Sequence, residues 1–142
     1  MRKFRTPLLL LTAATISACG SNFEWFPKNS TNSATTVPAI TTTVGGVRFK
    51  NTSTIHVSVL PAPIVFSSTG AVTIYYTTNG NDPTGSPNQV QLNIGSNGSA
   101  VTGASITVTN TILKFLGVAT STVNGTTVTA QSQVESGTIV SP

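Results

Sequence analysis

The chain has 142 residues and a formal charge of +4, with seven Lys and Arg, three Asp and Glu, one His and one Cys. A single cysteine excludes a fold stapled by intrachain disulfides, and so few carboxylates leave little for acid–base or metal chemistry. The basic excess is local: Arg2, Lys3 and Arg5 precede residue 19, and beyond it Lys28, Arg48, Lys50 and Lys114 meet Glu24, Asp82 and Glu135, leaving +1. Phosphate recognition needs clustered Lys and Arg, so a nucleic-acid partner is not expected.

The first element is "MRKFRTPLLLLTAATISACGSN". Its positive start, the apolar run from Leu8 to Leu11 and the small residues Ser17 and Ala18 form an export signal over residues 1–18. The run is diluted too quickly by Thr and Ser to make a permanent span, which needs about 20 apolar residues. "ISAC", Ile16 to Cys19, resembles the lipobox of bacterial lipoproteins. The resemblance implies that Cys19 receives a diacylglycerol and begins the mature chain, so that membrane lipid is a partner. Gly20 in place of Asp after the cysteine resembles the outer-membrane pattern of enteric lipoproteins. One acyl chain anchors only marginally, and two or more make attachment lasting.

Residues 19–39 follow as an extended polar tether, rich in Ser, Thr and Asn and broken by Pro27 and Pro38, with the Thr run prolonging that character to about Thr43. Phe23, Trp25 and Phe26 interrupt it. Three roles stay open for them: rings at the membrane interface, packing on the base of the domain, or a partner patch.

Residues 40–142 hold about 100 residues, enough for one core. "TIHVSVL" points Ile55, Val57 and Val59 one way and His56 and Ser58 the other, a period of two. "PIVFSS" follows Pro61 and Pro63. "AVTIYYTT" sets Val72, Ile74 and Tyr76 against Thr73, Tyr75 and Thr77. "QVQLNI", "ASITVTN" with Ile106 and Val108, "ILKFLGVA" with Leu113 and Phe115 opposite Lys114 and Leu116, "TTVTAQ" and "GTIVS" complete the set. About seven or eight short strands bounded by Gly, Asn, Ser and Pro predict an all-β sandwich or barrel. No stretch keeps helical spacing long enough for a helix.

After Thr78 the chain turns through Asn79, Gly80, Asn81, Asp82 and Pro83. Asn and Gly accept positive φ, Asp and Asn bond back to their own backbone, and Pro fixes φ, so each residue has a structural reason to be there. A Ca²⁺ loop is the functional alternative, but Asp82 is its one carboxylate and hard cations want several oxygen ligands. No metal or other cofactor is expected.

"TIYYTTNGNDPT", Thr73 to Thr84, resembles the signature of the chitobiase/beta-hexosaminidase C-terminal domain family. Gly45, Gly46 and Phe49, the Val57–Ser58 strand and "TILKFLGVA" extend the likeness over roughly residues 38 to 135. The resemblance implies a single immunoglobulin-like β-sandwich, an accessory module of glycoside hydrolases. Asn79 departs from the family's usual Asp, and the segment between Pro87 and Ala104 lacks its aromatic residue. Tyr75 and Tyr76 match the family pair; alternation sends one into the core and the other to the surface.

Catalysis is not expected. Glycosidase chemistry needs two carboxylates facing each other across a sugar, whereas Glu24 lies in the tether, Asp82 in the turn and Glu135 near the C-terminal end. His56 stands on the polar side of its strand without a ligand pattern. Two functions stay in play. One is a structural or interaction domain displayed on the envelope, with a protein partner. The other is a carbohydrate-binding or adhesive module, for which Trp25, Tyr75, Tyr76, Asn79, Asn81 and Asp82 are the candidate glycan contacts.

Overall fold

The computed structural model describes residues 36–142. The expected signal, Cys19, the aromatic residues Phe23, Trp25 and Phe26, and the tether as far as residue 35 lie outside the described residues.

Ten strands follow in chain order: β1 Ile40–Val44, β2 Val47–Arg48, β3 Thr54–His56, β4 Ala62–Ser68, β5 Val72–Thr77, β6 Val90–Ile94, β7 Val101–Ile106, β8 Thr111–Val123, β9 Thr126–Gln131 and β10 Glu135–Val140. They form a β-sandwich. One sheet runs β2-β1-β4-β7 and the other β3-β10-β8-β5-β6, with β9 joined to β8. Neighbours are antiparallel except β3, which lies parallel to β10. The all-β expectation holds, and periodicity is the cause: β4 and β5 bury alternate residues, Ala62, Ile64 and Phe66 on one and Val72, Ile74 and Tyr76 on the other.

Those faces meet in one core. Phe66 sits between Tyr76 and Phe115, 5.3 Å from each ring centroid, and Phe49 lies edge-on to Phe115 at 5.2 Å. Each such side chain removed from water contributes about 1.5–3 kcal/mol, and a well-placed aromatic pair adds about 0.5–1.5 kcal/mol. Val37 and Pro38 already pack on the domain before β1 begins, Val37 against the core and Pro38 against Gly70.

Four differences from the alternation have local reasons. The run ITTTV, extended in the sequence but without apolar alternation, is β1, an inner strand in which Thr42 is buried in the place an apolar residue would take. Val59 is 67 % and Val108 63 % exposed, not inward-facing. β3 stops at His56 as the chain bends into Pro61 and Pro63, which offer no N–H to a ladder, and Val108 belongs to the turn before β8, where its carbonyl accepts the Thr111 hydroxyl at 2.8 Å. Leu116 does face away from Leu113 and Phe115, yet it is buried. A loop covers it.

Candidate functional site

The covering loop is the corner that begins at Thr78. β5 and β8 pair with Tyr75 opposite Leu116 and Thr73 opposite Val118, so these side chains share the outer face of the larger sheet. Residues 78–89 return across that face to β6. Pro83 is fully buried there. A proline ring serves this purpose well, because it packs like an apolar side chain and leaves no N–H to satisfy.

The turn is tied down by its own side chains. The Thr77 hydroxyl donates to the Asn81 carbonyl at 2.6 Å, and the Asn81 N–H donates to Asn79 Oδ1 at 3.1 Å. The Gly80 N–H reaches the Ile112 carbonyl at 3.1 Å. Asp82 Oδ1 accepts both the Thr84 hydroxyl at 2.6 Å and the Thr84 N–H at 2.8 Å. These two bonds, the hydroxyl's first, hold the Asp82 carboxyl below the usual Asp value although it stands in solvent. Both bonds fall on one carboxylate oxygen, Oδ1, and they close the turn locally.

Beside the loop lies an open groove of about 280 Å³. Tyr75, Leu116 and Val118 floor it, Pro83, Thr84 and Gln89 wall one side, and Gln131 reaches in from β9. A second depression of about 200 Å³ continues past Val118 toward Thr73, Asn93 and Thr120. Here Asn93 Oδ1 accepts the Thr73 hydroxyl at 3.0 Å and the Gln91 amide at 3.4 Å. The lining of both depressions is neutral, made of amides, hydroxyls, aliphatic side chains and one half-buried tyrosine.

Of the predicted contact residues, only Tyr75 lines this groove. Tyr76 is not a surface residue: it is 1 % exposed, and its hydroxyl accepts the Ala104 N–H at 2.7 Å. The inward register of Val72 and Ile74 carries it into the core. Asn79, Asn81 and Asp82 are exposed but occupy the turn rather than the groove wall, and Trp25 lies outside the described residues. Gln89, Leu116 and Gln131 were missed. Strand alternation could have paired Leu116 with Tyr75, whereas the two glutamines join the groove only through loop path and strand register.

His56 stands exposed on the edge strand β3, and among the described residues no three His, Cys, Asp or Glu side chains are grouped to hold a metal. Among known proteins, no family model, no curated sequence and no solved structure matches this chain.

Proposed function

We propose that this is a non-catalytic, lipid-anchored protein of the bacterial cell envelope, acylated at Cys19, sorted to the outer membrane, and displaying its β-sandwich as a structural or interaction module. The observation that carries the reading is Cys19 itself, preceded in order by a positive start, an apolar run and the small residues Ser17 and Ala18. The sandwich supports it through what its polar groups already do. The Asp82 carboxylate is bound to Thr84, and the Tyr76 hydroxyl is bound to Ala104. Membrane fractionation tests the anchor: the protein partitions with detergent-soluble lipid, and Cys19→Ala moves it to the aqueous phase. Equal partitioning of both forms would refute the anchor.

A second reading, recognition of a neutral glycan, is favoured by the groove. Tyr75 offers a ring on which a sugar face stacks, and Gln89 and Gln131 offer amides for hydroxyl groups. It ranks below the first because Tyr75 is the one aromatic side chain among the described residues that reaches the surface, and sugar platforms usually need more. Titration with neutral oligosaccharides decides between them: saturable binding abolished by Tyr75→Ala would promote the glycan module, and no binding leaves the structural one.

A further inference from the structure

Sheet edges invite pairing with other chains unless they are shortened, charged, bulged or interrupted by proline. The edges of this sandwich differ in that respect. β2 is two residues long and ends on Arg48, β3 is three residues long, and β7 carries a register shift against β4. β6 has neither charge nor proline among its five residues, but it lies against β7 of the other sheet, with Leu92 beside Gly103. β9 has none of these devices. It is six residues, TTVTAQ, in unbroken register with β8 from Val118↔Gln131 to Val123↔Thr126. From Ala119 to Gln133 the chain contains neither a charge nor a proline. Among the described residues, β8 is the only strand that pairs with it.

The hydrogen-bond phase of the hairpin fixes which groups are left over. Asn124 and Gly125 form a two-residue turn with φ of 51° and 77°, and in such a turn the flanking pair, Val123 and Thr126, is the hydrogen-bonded one. Alternation then aims the backbone groups of Val128 and Ala130 at β8 and those of Thr127, Thr129 and Gln131 away from it. The next residue along confirms the phase: the Ser132 N–H donates to the Gly117 carbonyl at 2.8 Å.

We propose that the free edge of β9 pairs antiparallel with β9 of a second copy of this chain, about a two-fold axis at Thr129. In this register Thr129 lies opposite Thr129, Thr127 opposite Gln131 and Val128 opposite Ala130. Every outward N–H and C=O of one copy meets an outward partner on the other. The same alternation puts the side chains of Thr127, Thr129 and Gln131 on the outer face with Thr120 and Thr122, so across the seam Thr129 faces Thr129, a pairing strands favour, and each Thr127 hydroxyl faces a Gln131 amide. Two identical edges can meet this closely because neither carries a charge. A two-fold contact is also closed, and it stops at two chains. The pairing joins the two larger sheets into one and is independent of whether Cys19 is acylated.

The test is the polypeptide mass of the full-length chain in detergent micelles, by light scattering with the detergent contribution separated, for the parent, Thr129→Pro and the double variant Thr127→Lys/Thr129→Lys. Proline at 129 removes an N–H that points away from β8, so the hairpin's own ladder is kept; the lysine variant leaves the backbone unaltered and charges the seam. Far-ultraviolet circular dichroism and melting temperature report that the fold persists. The expected result is two chains per particle for the parent and one for each variant that folds. A parent of one chain would overturn the proposal, as happens if residues 1–35 or another protein cover this edge. A parent that grows beyond two chains, or folded variants that keep the parent's mass, would overturn it as well.

Discussion

The Tyr76 hydroxyl accepts the Ala104 N–H at 2.7 Å, and the two residues belong to different sheets. The bond exists because β7 bulges: Pro63 pairs with Ser105 but Val65 with Thr102, so Ile64 faces both Gly103 and Ala104. The extra residue takes a backbone N–H off the ladder, and a tyrosine from across the core supplies the acceptor. Tyr76→Phe should therefore lower stability by about 1 kcal/mol, the net worth of one hydrogen bond. Gly103→Ala should cost about 1–3 kcal/mol, since a Cβ there would stand 2.9 Å from the same hydroxyl. Denaturant unfolding of the two variants and the double variant measures both effects, with the double variant less destabilised than the sum because removing the hydroxyl relieves the contact.

At the corner, backbone conformation should matter more than the carboxylate. Gly80 has φ of +78°, and a Cβ there would lie 3.4 Å from Ile112, so Gly80→Val should cost about 1–3 kcal/mol. Asp82→Ala removes bonds made in solvent and should cost less. Melting curves of the parent and both variants, recorded with Ca²⁺ and with chelator, should superpose for each protein. A Ca²⁺-dependent rise in the parent that Asp82→Ala abolishes would instead assign the turn to a metal.

Acid should act through two carboxyl groups with opposite signs. The Thr84 bonds depress the Asp82 value below its ordinary 3.8, so the stability they lend is full above 3.8 and is lost as pH falls through the depressed value. Burial raises Glu135 above its ordinary 4.5, so its neutral form favours the fold, and that contribution is full below 4.5 and is lost as pH rises through the raised value. Melting temperature recorded from about pH 7 down to about pH 3 should pass through a shallow rise and then fall. Glu135→Gln should flatten the rise, and Asp82→Asn should flatten the fall.

Thr42 is 3 % exposed, and its Oγ1 has no hydrogen-bond partner. Thr42→Val keeps the shape and the β-branch while removing the buried hydroxyl, and should raise stability by about 1 kcal/mol. Thermal unfolding checks this. A loss of stability would mean that the hydroxyl has a partner in solution.

The same residue shows where sequence reading loses the fold. Val72, Ile74 and Tyr76 declare their strand because apolar and polar residues alternate, and the sandwich follows from several such segments. In ITTTV the inward positions are Ile40, Thr42 and Val44 and the outward ones are Thr41 and Thr43, so a threonine on both faces hides the period. Asn124 and Gly125 turn β8 into β9, and β8 runs on to Val123, past the Ala119 at which its expected segment ends. The candidate groove was only partly legible. Tyr75 followed from alternation once Tyr76 was placed inside, but burial of Pro83 and Leu116 depends on the loop crossing the outer face, and that path is set by tertiary packing rather than by any local pattern.

The central claim, an envelope protein held by lipid at Cys19, is tested most directly by intact-mass measurement of the protein extracted from membranes. The account predicts a chain that begins at Cys19 and carries the added mass of a diacylglyceryl group. A chain that begins at Met1, or one with an unmodified Cys19, would contradict it.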